Sequence, residues 1–295
     1  MDGLLWKLKH PRDYGLNEAI VYFASREPVE VLWCDRPLHV KPETLETAKK
    51  IRPGIKLVSY RLDDMMRSEN RSACYLHSIP IYDLHVTTKS HNVEELKTLG
   101  ARNAIFVNNA FGPRVHFPVE VTGEEKKRFG GPVGFVGTYD PERAVMLMAL
   151  ARAGIPVRVW GANWPRGLRS YSANLQIEYA TLPEDSYRLA VNSFDINLGL
   201  LRDTSRDTQT ARSVEIPVCG GFLLAERTAE HQALFREDCD AVYFGSTDEL
   251  IGKVRYYLSD ESRRRAIAPN GFRRAVNVPY TYEAQVGYVL ESLHR

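Results

Sequence analysis

Cysteine is scarce and scattered in this chain. Cys34, Cys74, Cys219 and Cys239 form no CxxC pair, and the eight histidines show no HExxH or other close metal spacing. Neither a disulfide framework nor a zinc site is suggested, and reduced, cytoplasmic thiols are the simple reading. Long apolar runs are missing too. The longest tempting one, AVMLMALA (144–151), has eight residues between Arg143 and Arg152, far short of the roughly 20 that span a bilayer. The opening MDGLLWKLKH lacks the apolar length of a signal peptide, so no transmembrane segment is expected. Charge is balanced: a net +2 and a pI near 8.3 do not point to nucleic acid as a partner.

Two cofactor signatures are also lacking. Gly134 and Gly137 make a GxxG turn rather than GxGxxG, and Trp160-Gly161, not an acidic residue, follows Val159 at the end of the next strand. This argues against a nicotinamide enzyme. Asp63-Asp64 is an adjacent pair rather than a spaced DxD, and successive side chains in an extended segment face opposite ways. We therefore expect no bound metal, and read the pair as part of a cleft wall.

What is present is a soluble composition, 44% hydrophobic and 26% charged, with room in 295 residues for two domains. Apolar runs at 29–33, 55–60, 82–87 and 104–107 read as strands. Between and around them, 16–26, 41–51, 72–78 and 93–99 read as helices, with Pro42 acceptable in a first turn and Ser90 or Asn92 as an N-cap. A linker of mixed turn and charge character (113–131) leads to a second series: strands at 133–136, 157–160, 196–200, 222–225 and 241–244. Its helices are expected at 141–153, 185–192, 247–258, 261–271 and 282–293. Strands alternating with helices at this spacing predict α/β domains with parallel, doubly wound sheets. The expected division is an N-terminal domain (1–118), a second domain (119–275) and a C-terminal helix (276–295).

The stretch DTQTARSVEIPVCGGFLLAE (207–226) concentrates polar chemistry. Asp207 and Glu215 stand eight apart, with Thr208, Gln209, Thr210, Arg212 and Ser213 between them. Pro217 cannot donate to the Ser213 carbonyl, so a helix here either begins near Ser213 or bends, and Gly220-Gly221 ends it. A helix N-terminus suits a phosphate, Arg212 adds a forked donor to the same anion, and Glu215 can accept from a sugar hydroxyl. The alternative is a solvated acidic-basic turn before a core helix. At Gly137-Thr138 a turn into a helix can likewise cradle one phosphate group.

RSVEIPVCGGFLLAERTAEH (212–231) resembles the donor-site segment of CgeB-like (spore-maturation type) glycosyltransferases, which have the GT-B fold. VGFVGTYDPER (133–143), VRVWGANW (157–164) and YDLHVTTKSHNVEEL (82–96) match as well, in order, from about Val29 onward. The resemblance implies two Rossmann-like domains facing a cleft. It also implies metal-independent transfer of a sugar from a nucleotide-diphosphate sugar to an acceptor hydroxyl, with no cofactor beyond the donor. The acceptor is left open among saccharide, protein and small molecule.

By the resemblance, the second domain holds the donor. Arg143 stands where relatives carry a basic diphosphate-binding residue, with a surface arginine as the alternative. Trp160 and Gly161 meet the nucleobase, unless the indole merely packs the core. Glu215 holds the ribose and Asp207 the transferred sugar. Relatives usually carry glutamate at the Asp207 position, so retention or inversion stays open. His91 or Lys89, after the strand at 82–87, touches acceptor or donor sugar. With no opening strand before Leu16, the N-terminal domain is expected to lack its first βα unit. A nucleotide-sugar epimerase and a noncatalytic nucleotide-sugar-binding protein remain as alternatives.

Overall fold

The structure is a computed structural model and describes residues 15–293. The expectation that no strand precedes Leu16 falls on residues outside that range. Contacts divide the chain into two units, Met1–Val107 with Tyr288–Arg295, and Asn108–Gly287. The expected boundary near residue 118 falls inside the second. Among the described residues no helix is long and apolar enough to cross a membrane.

In the first unit, β1 (Val31–Asp35), β2 (Lys56–Arg61), β3 (Leu84–Thr87) and β4 (Ala104–Phe106) form a parallel sheet in that order. Trp33 lies opposite Val58, Tyr60 opposite Val86, and Thr87 opposite Phe106. The apolar runs that announced β2 and β3 reflect burial on both faces, the usual condition of a parallel strand. On one face Leu57 packs with Ile20 and Ala24 of α1 (Leu16–Arg26) and Leu45 and Ala48 of α2 (Pro42–Ile51). On the other, Val58, Tyr60 and Val86 pack with Val289. Two further helices, α3 (Ala73–Ser78) and α4 (Ser90–Thr98), follow β2 and β3. Ser72 caps α3 by accepting from the Tyr75 N–H. Lys89, not Ser90 or Asn92, stands at the N-cap of α4 and makes no side-chain cap bond there. Asn92 lies inside the helix, its amide bonded to Asp64 and Glu95.

The second unit carries β5 (Gly131–Val136), β6 (Val157–Trp160), β7 (Leu175–Ile177), β8 (Phe194–Gly199), β9 (Leu223–Glu226) and β10 (Val242–Phe244). All pairings are parallel, in the order β10-β9-β8-β5-β6-β7. Its helices are α5 (Gly123–Phe129), α6 (Pro141–Arg152), α7 (Glu184–Ser193), α8 (Arg212–Val218), α9 (Ala229–Leu234), α10 (Thr247–Ser259) and α11 (Glu261–Asn277); α12 (Tyr282–Ser292) begins here, and its residues from Tyr288 onward count with the first unit. Val133, Phe135, Val157, Val159, Ile196, Leu198 and Leu224 form the core with Leu147 and Leu150 of α6 and Leu250 and Val254 of α10.

Three differences from the sequence reading have physical causes. The expected linker contains α5, started by a capping box in which Thr122 accepts from the Glu125 N–H and the Glu125 carboxylate accepts from the Thr122 N–H. The edge strand β7 is only three residues long, too short for a period to show. Helix α11 runs through Pro269 and Gly271 to Asn277. Gly271 does not stop it, because this glycine serves close packing: a Cβ there would lie 2.5 Å from the Asp240 carbonyl oxygen.

Candidate functional site

β5 and β8 are neighbours, yet the chain leaves β5 toward β6 and β7, and leaves β8 toward β9 and β10. The strand order therefore reverses between them. In open α/β sheets the crevice outside the carboxyl ends at such a switch point is where ligands bind. Most of the residues singled out in the sequence gather at the carboxyl ends of these strands.

After β5, the Gly137 N–H donates to the Trp160 carbonyl at 2.8 Å and Tyr139 N–H to Ala162 at 3.2 Å. The Trp164 indole donates to the Gly137 carbonyl at 3.0 Å. A Cβ on Gly161 would stand 1.9 Å from that same carbonyl oxygen, so the two loops meet only because residue 161 is glycine. The Trp160 ring turns away into packing: its Nε1 donates to the Phe129 carbonyl at 3.2 Å, with ring centroids 5.9 Å apart.

Arg143 is buried in α6, and its guanidinium is occupied by backbone. Nε donates to the Leu200 and Leu201 carbonyls at 3.1 Å each, Nη2 to Leu200 at 2.8 Å, and Nη1 to the Thr138 carbonyl at 3.2 Å. Burial, with the nearby Arg202 charge, holds its pKa down at about 10. The side chain ties the loop after β5 to the loop after β8. The start of α6 is also engaged, since Asp140 accepts from the Glu142 N–H at 3.1 Å and from the Thr204 hydroxyl at 2.7 Å.

In the loop after β8, Asp207 is buried and accepts from Arg202, at 3.3 Å from its N–H and 3.1 Å from its Nε. The Leu201 N–H donates to Glu226 at 2.6 Å, and burial raises the Glu226 pKa. The Thr208 carbonyl accepts from Thr228 at 2.7 Å, while its own buried hydroxyl has no hydrogen-bond partner among the described residues. Gln209 is wholly buried. Its Oε1 accepts from the Asn109 N–H at 3.1 Å, and its Nε2 donates to Asn108 at 3.0 Å and Glu230 at 2.9 Å. Thr210 N–H donates to Ser213 Oγ at 3.0 Å.

Helix α8 then presents Arg212 and Glu215, three apart on one face. Arg212 Nε donates to the Val136 carbonyl at the end of β5 at 3.1 Å, its guanidinium lies 4.3 Å from the Tyr187 ring centroid, and its Nη1 donates to Glu215. About a third of the Arg212 side chain stays exposed. The other Glu215 oxygen faces His116 Nε2 at 3.5 Å. Because the Gly112 N–H donates to His116 Nδ1 at 3.3 Å, the ring proton is assigned to Nε2, toward the carboxylate. Glu215, Arg212 and burial all bear on Tyr282, where burial is the largest effect and raises its pKa. This is a charged cluster around a buried Glu215, with Arg212 and Tyr282 part-exposed, rather than the solvated turn that spacing alone allowed.

Sequence reasoning missed His116, Tyr187 and Tyr282, which no motif links to Glu215. It also missed a buried support. Ser213 Oγ meets His231 Nε2 at 2.7 Å, and His231 Nδ1 donates to the Glu226 carbonyl at 2.6 Å, an arrangement that suits the neutral imidazole favoured by burial. His91 belongs to the first unit, where its Nε2 faces Asp64 at 3.7 Å.

The sequence model of the "glycosyl transferase-like" family matches residues 143–291, just over half of the chain, and that span holds Arg143 through Glu226. The chain belongs to this glycosyltransferase family. No curated protein matches it in sequence. In three dimensions it is similar to sucrose-phosphate synthase from Thermosynechococcus elongatus, with a TM-score of 0.67 at 11% identity over 97% of this chain and 80% of the other. It is also similar to Anabaena HepE solved with UDP and glucose (0.66, 15% identity, 95% and 83% covered) and to a glycosyltransferase of Rickettsia africae (0.67, 10%, 97% and 82%). At these identities the likeness is one of fold: parallel α/β sheets of the GT-B kind.

Proposed function

We propose that this glycosyltransferase, of the CgeB-like type, binds a nucleotide-diphosphate sugar at the carboxyl edge of its second sheet and transfers the sugar to an acceptor hydroxyl without a metal. The observation that carries this reading is the Arg212–Glu215 pair at the switch point. A guanidinium is fastened through Nε to the end of β5 and through Nη1 to a buried carboxylate, with about a third of its side chain still exposed. Arg212 then meets the diphosphate and offsets the charge that grows on it as the glycosidic bond breaks. Such preorganised stabilisation is often the largest catalytic contribution. Glu215 accepts from the ribose hydroxyls, its carboxylate set between His116 and Arg212.

Asp207 is assigned to the transferred sugar, in a loop whose neighbouring Thr208 hydroxyl is buried and has no hydrogen-bond partner among the described residues. Thr210 and Gln209 hold that loop, while Gly137, Thr138 and Gly161 let backbone approach the donor. Arg143 is assigned the role of a strap rather than a phosphate ligand, because its donors already serve three carbonyls. Trp160 is assigned to packing. The acceptor side is given to the first unit, in the two-domain cleft arrangement of the GT-B fold. His91 receives no part in transfer.

A thermal-shift screen against nucleoside diphosphates and nucleotide sugars tests the reading, since a ligand that binds only the folded state raises its apparent stability. UDP is the first probe because similar solved structures carry it. Conversion of donor without acceptor would indicate an epimerase. Binding with neither transfer nor slow donor hydrolysis would indicate a noncatalytic binder.

A further inference from the structure

In the first unit, Asp64 lies in the loop after β2, and His91 and Glu95 stand four apart on α4, so both face the same way. One ligand atom from each falls within 4.8 Å of the others. Asp64 is fully buried, and its Oδ2 looks at His91 Nε2 across 3.7 Å. That separation is too long for a hydrogen bond, and the buried Nε2 makes none elsewhere among the described residues. Two ligands held tetrahedrally, each about 2.1 Å from one ion, stand about 3.4 Å apart, close to what is found.

The surroundings orient the two carboxylates. Buried Asn92 donates from the same amide nitrogen to Asp64 Oδ1 at 2.9 Å and to Glu95 Oε2 at 2.7 Å. Its own Oδ1 accepts from the Met65 N–H at 3.2 Å, and Asp64 Oδ1 also accepts from the Met66 N–H at 3.0 Å. Asp64 thus has one oxygen fixed by outer bonds while the other faces the imidazole. Outer-shell hydrogen bonds of this kind set ligand orientation in metal sites.

We propose that Asp64, His91 and Glu95 form a site for a divalent transition ion, with zinc as the best fit to one imidazole and two carboxylates, and that the ion ties the loop after β2 to α4. Water completes its coordination. The inference rests on the first unit alone and stands apart from the donor site of the second.

The test uses the whole protein, stripped with EDTA and dialysed, titrated with zinc by calorimetry and with cobalt by visible absorption. Expected is one ion per chain at micromolar affinity or tighter, with a cobalt spectrum of low coordination number. Affinity should fall at least about tenfold in both His91→Ala and Glu95→Gln, each checked for folding by circular dichroism. The exposed His77→Ala should bind as the parent does. Added zinc should also raise the melting temperature of the parent more than that of either variant. Absence of saturable binding, or binding undiminished in both site variants, would overturn the proposal and leave His91 and Asp64 as an ordinary ion pair.

Discussion

Replacing Arg143 by Met keeps much of the buried volume and removes every donor. Three backbone carbonyls, Thr138, Leu200 and Leu201, then lose their side-chain partner. Leu200 and Leu201 are buried, whereas Thr138 is exposed and water can replace its bond. Leaving a buried acceptor unsatisfied costs about 1–3 kcal/mol, so the gross loss is roughly 2–6 kcal/mol. Against it stands the cost of keeping this charge buried. A fall from 12.5 to about 10 corresponds to about 3 kcal/mol of penalty on the charged form, at about 1.4 kcal/mol per pKa unit. The net expectation is a destabilisation on the order of 1 kcal/mol, measured by urea unfolding of parent and variant. Nucleotide affinity, measured where both remain folded, should fall only modestly and in parallel for mono- and diphosphate. A Met variant as stable as the parent, with a selective loss of diphosphate affinity, would refute the strap and make Arg143 a phosphate ligand.

Gly161→Ala should destabilise the second unit by about 1–3 kcal/mol or more, as overpacking does, because its Cβ meets the Gly137 carbonyl oxygen. Near-parental stability by urea unfolding would show that these loops yield easily. Burial holds the fully enclosed His85 at about 4, so between pH 4 and 6.5 the unfolded chain binds a proton that the folded chain does not. Stability should therefore fall as pH drops through that window, by an amount on the order of 3 kcal/mol from this group. His85→Gln should flatten the pH dependence of the unfolding midpoint, and an unchanged slope would count against a neutral buried His85. EDTA should lower the melting temperature of metal-loaded protein while leaving nucleotide affinity intact. Loss of nucleotide binding on chelation, restored by added metal, would contradict the metal-independent donor site.

Much of the α/β architecture was legible because parallel strands buried on both faces write themselves as apolar runs. VEVLW, IKLVSY and FLLA each lie on or beside a strand. The helix at 16–26 matches in extent, and the one at 42–51 differs by a single residue. What failed was local information too brief or too ambiguous. β7 has three residues, and Gly271 signalled a stop where tertiary packing wanted a missing Cβ. The α5 signal was readable in Thr122 and Glu125, but the charge of EEKKR argued for a linker. Within the site, the Arg212–Glu215 spacing revealed that the two share a face, but not that Glu215 is buried. An arginine early in an amphipathic helix looks the same whether it meets solvent, phosphate or carbonyls, so the surroundings of Arg143 were beyond reach. His116 meets Glu215 only through folding of the chain, and no local pattern announces it.

The central claim is that Arg212 and Glu215 hold the nucleotide, and calorimetric titration tests it most directly. Parent, Arg212→Ala and Glu215→Gln would each be titrated with the monophosphate and diphosphate of the nucleoside selected by the screen. Loss of the charge-assisted bonds from Arg212 should cost about 1.5–3 kcal/mol, or roughly ten- to hundredfold in diphosphate affinity, and less for the monophosphate. Glu215→Gln should weaken both nucleotides by similar factors, because both carry the ribose. Unchanged affinities in variants that remain folded would reduce the pair to a structural contact within α8, and the donor site would have to lie elsewhere.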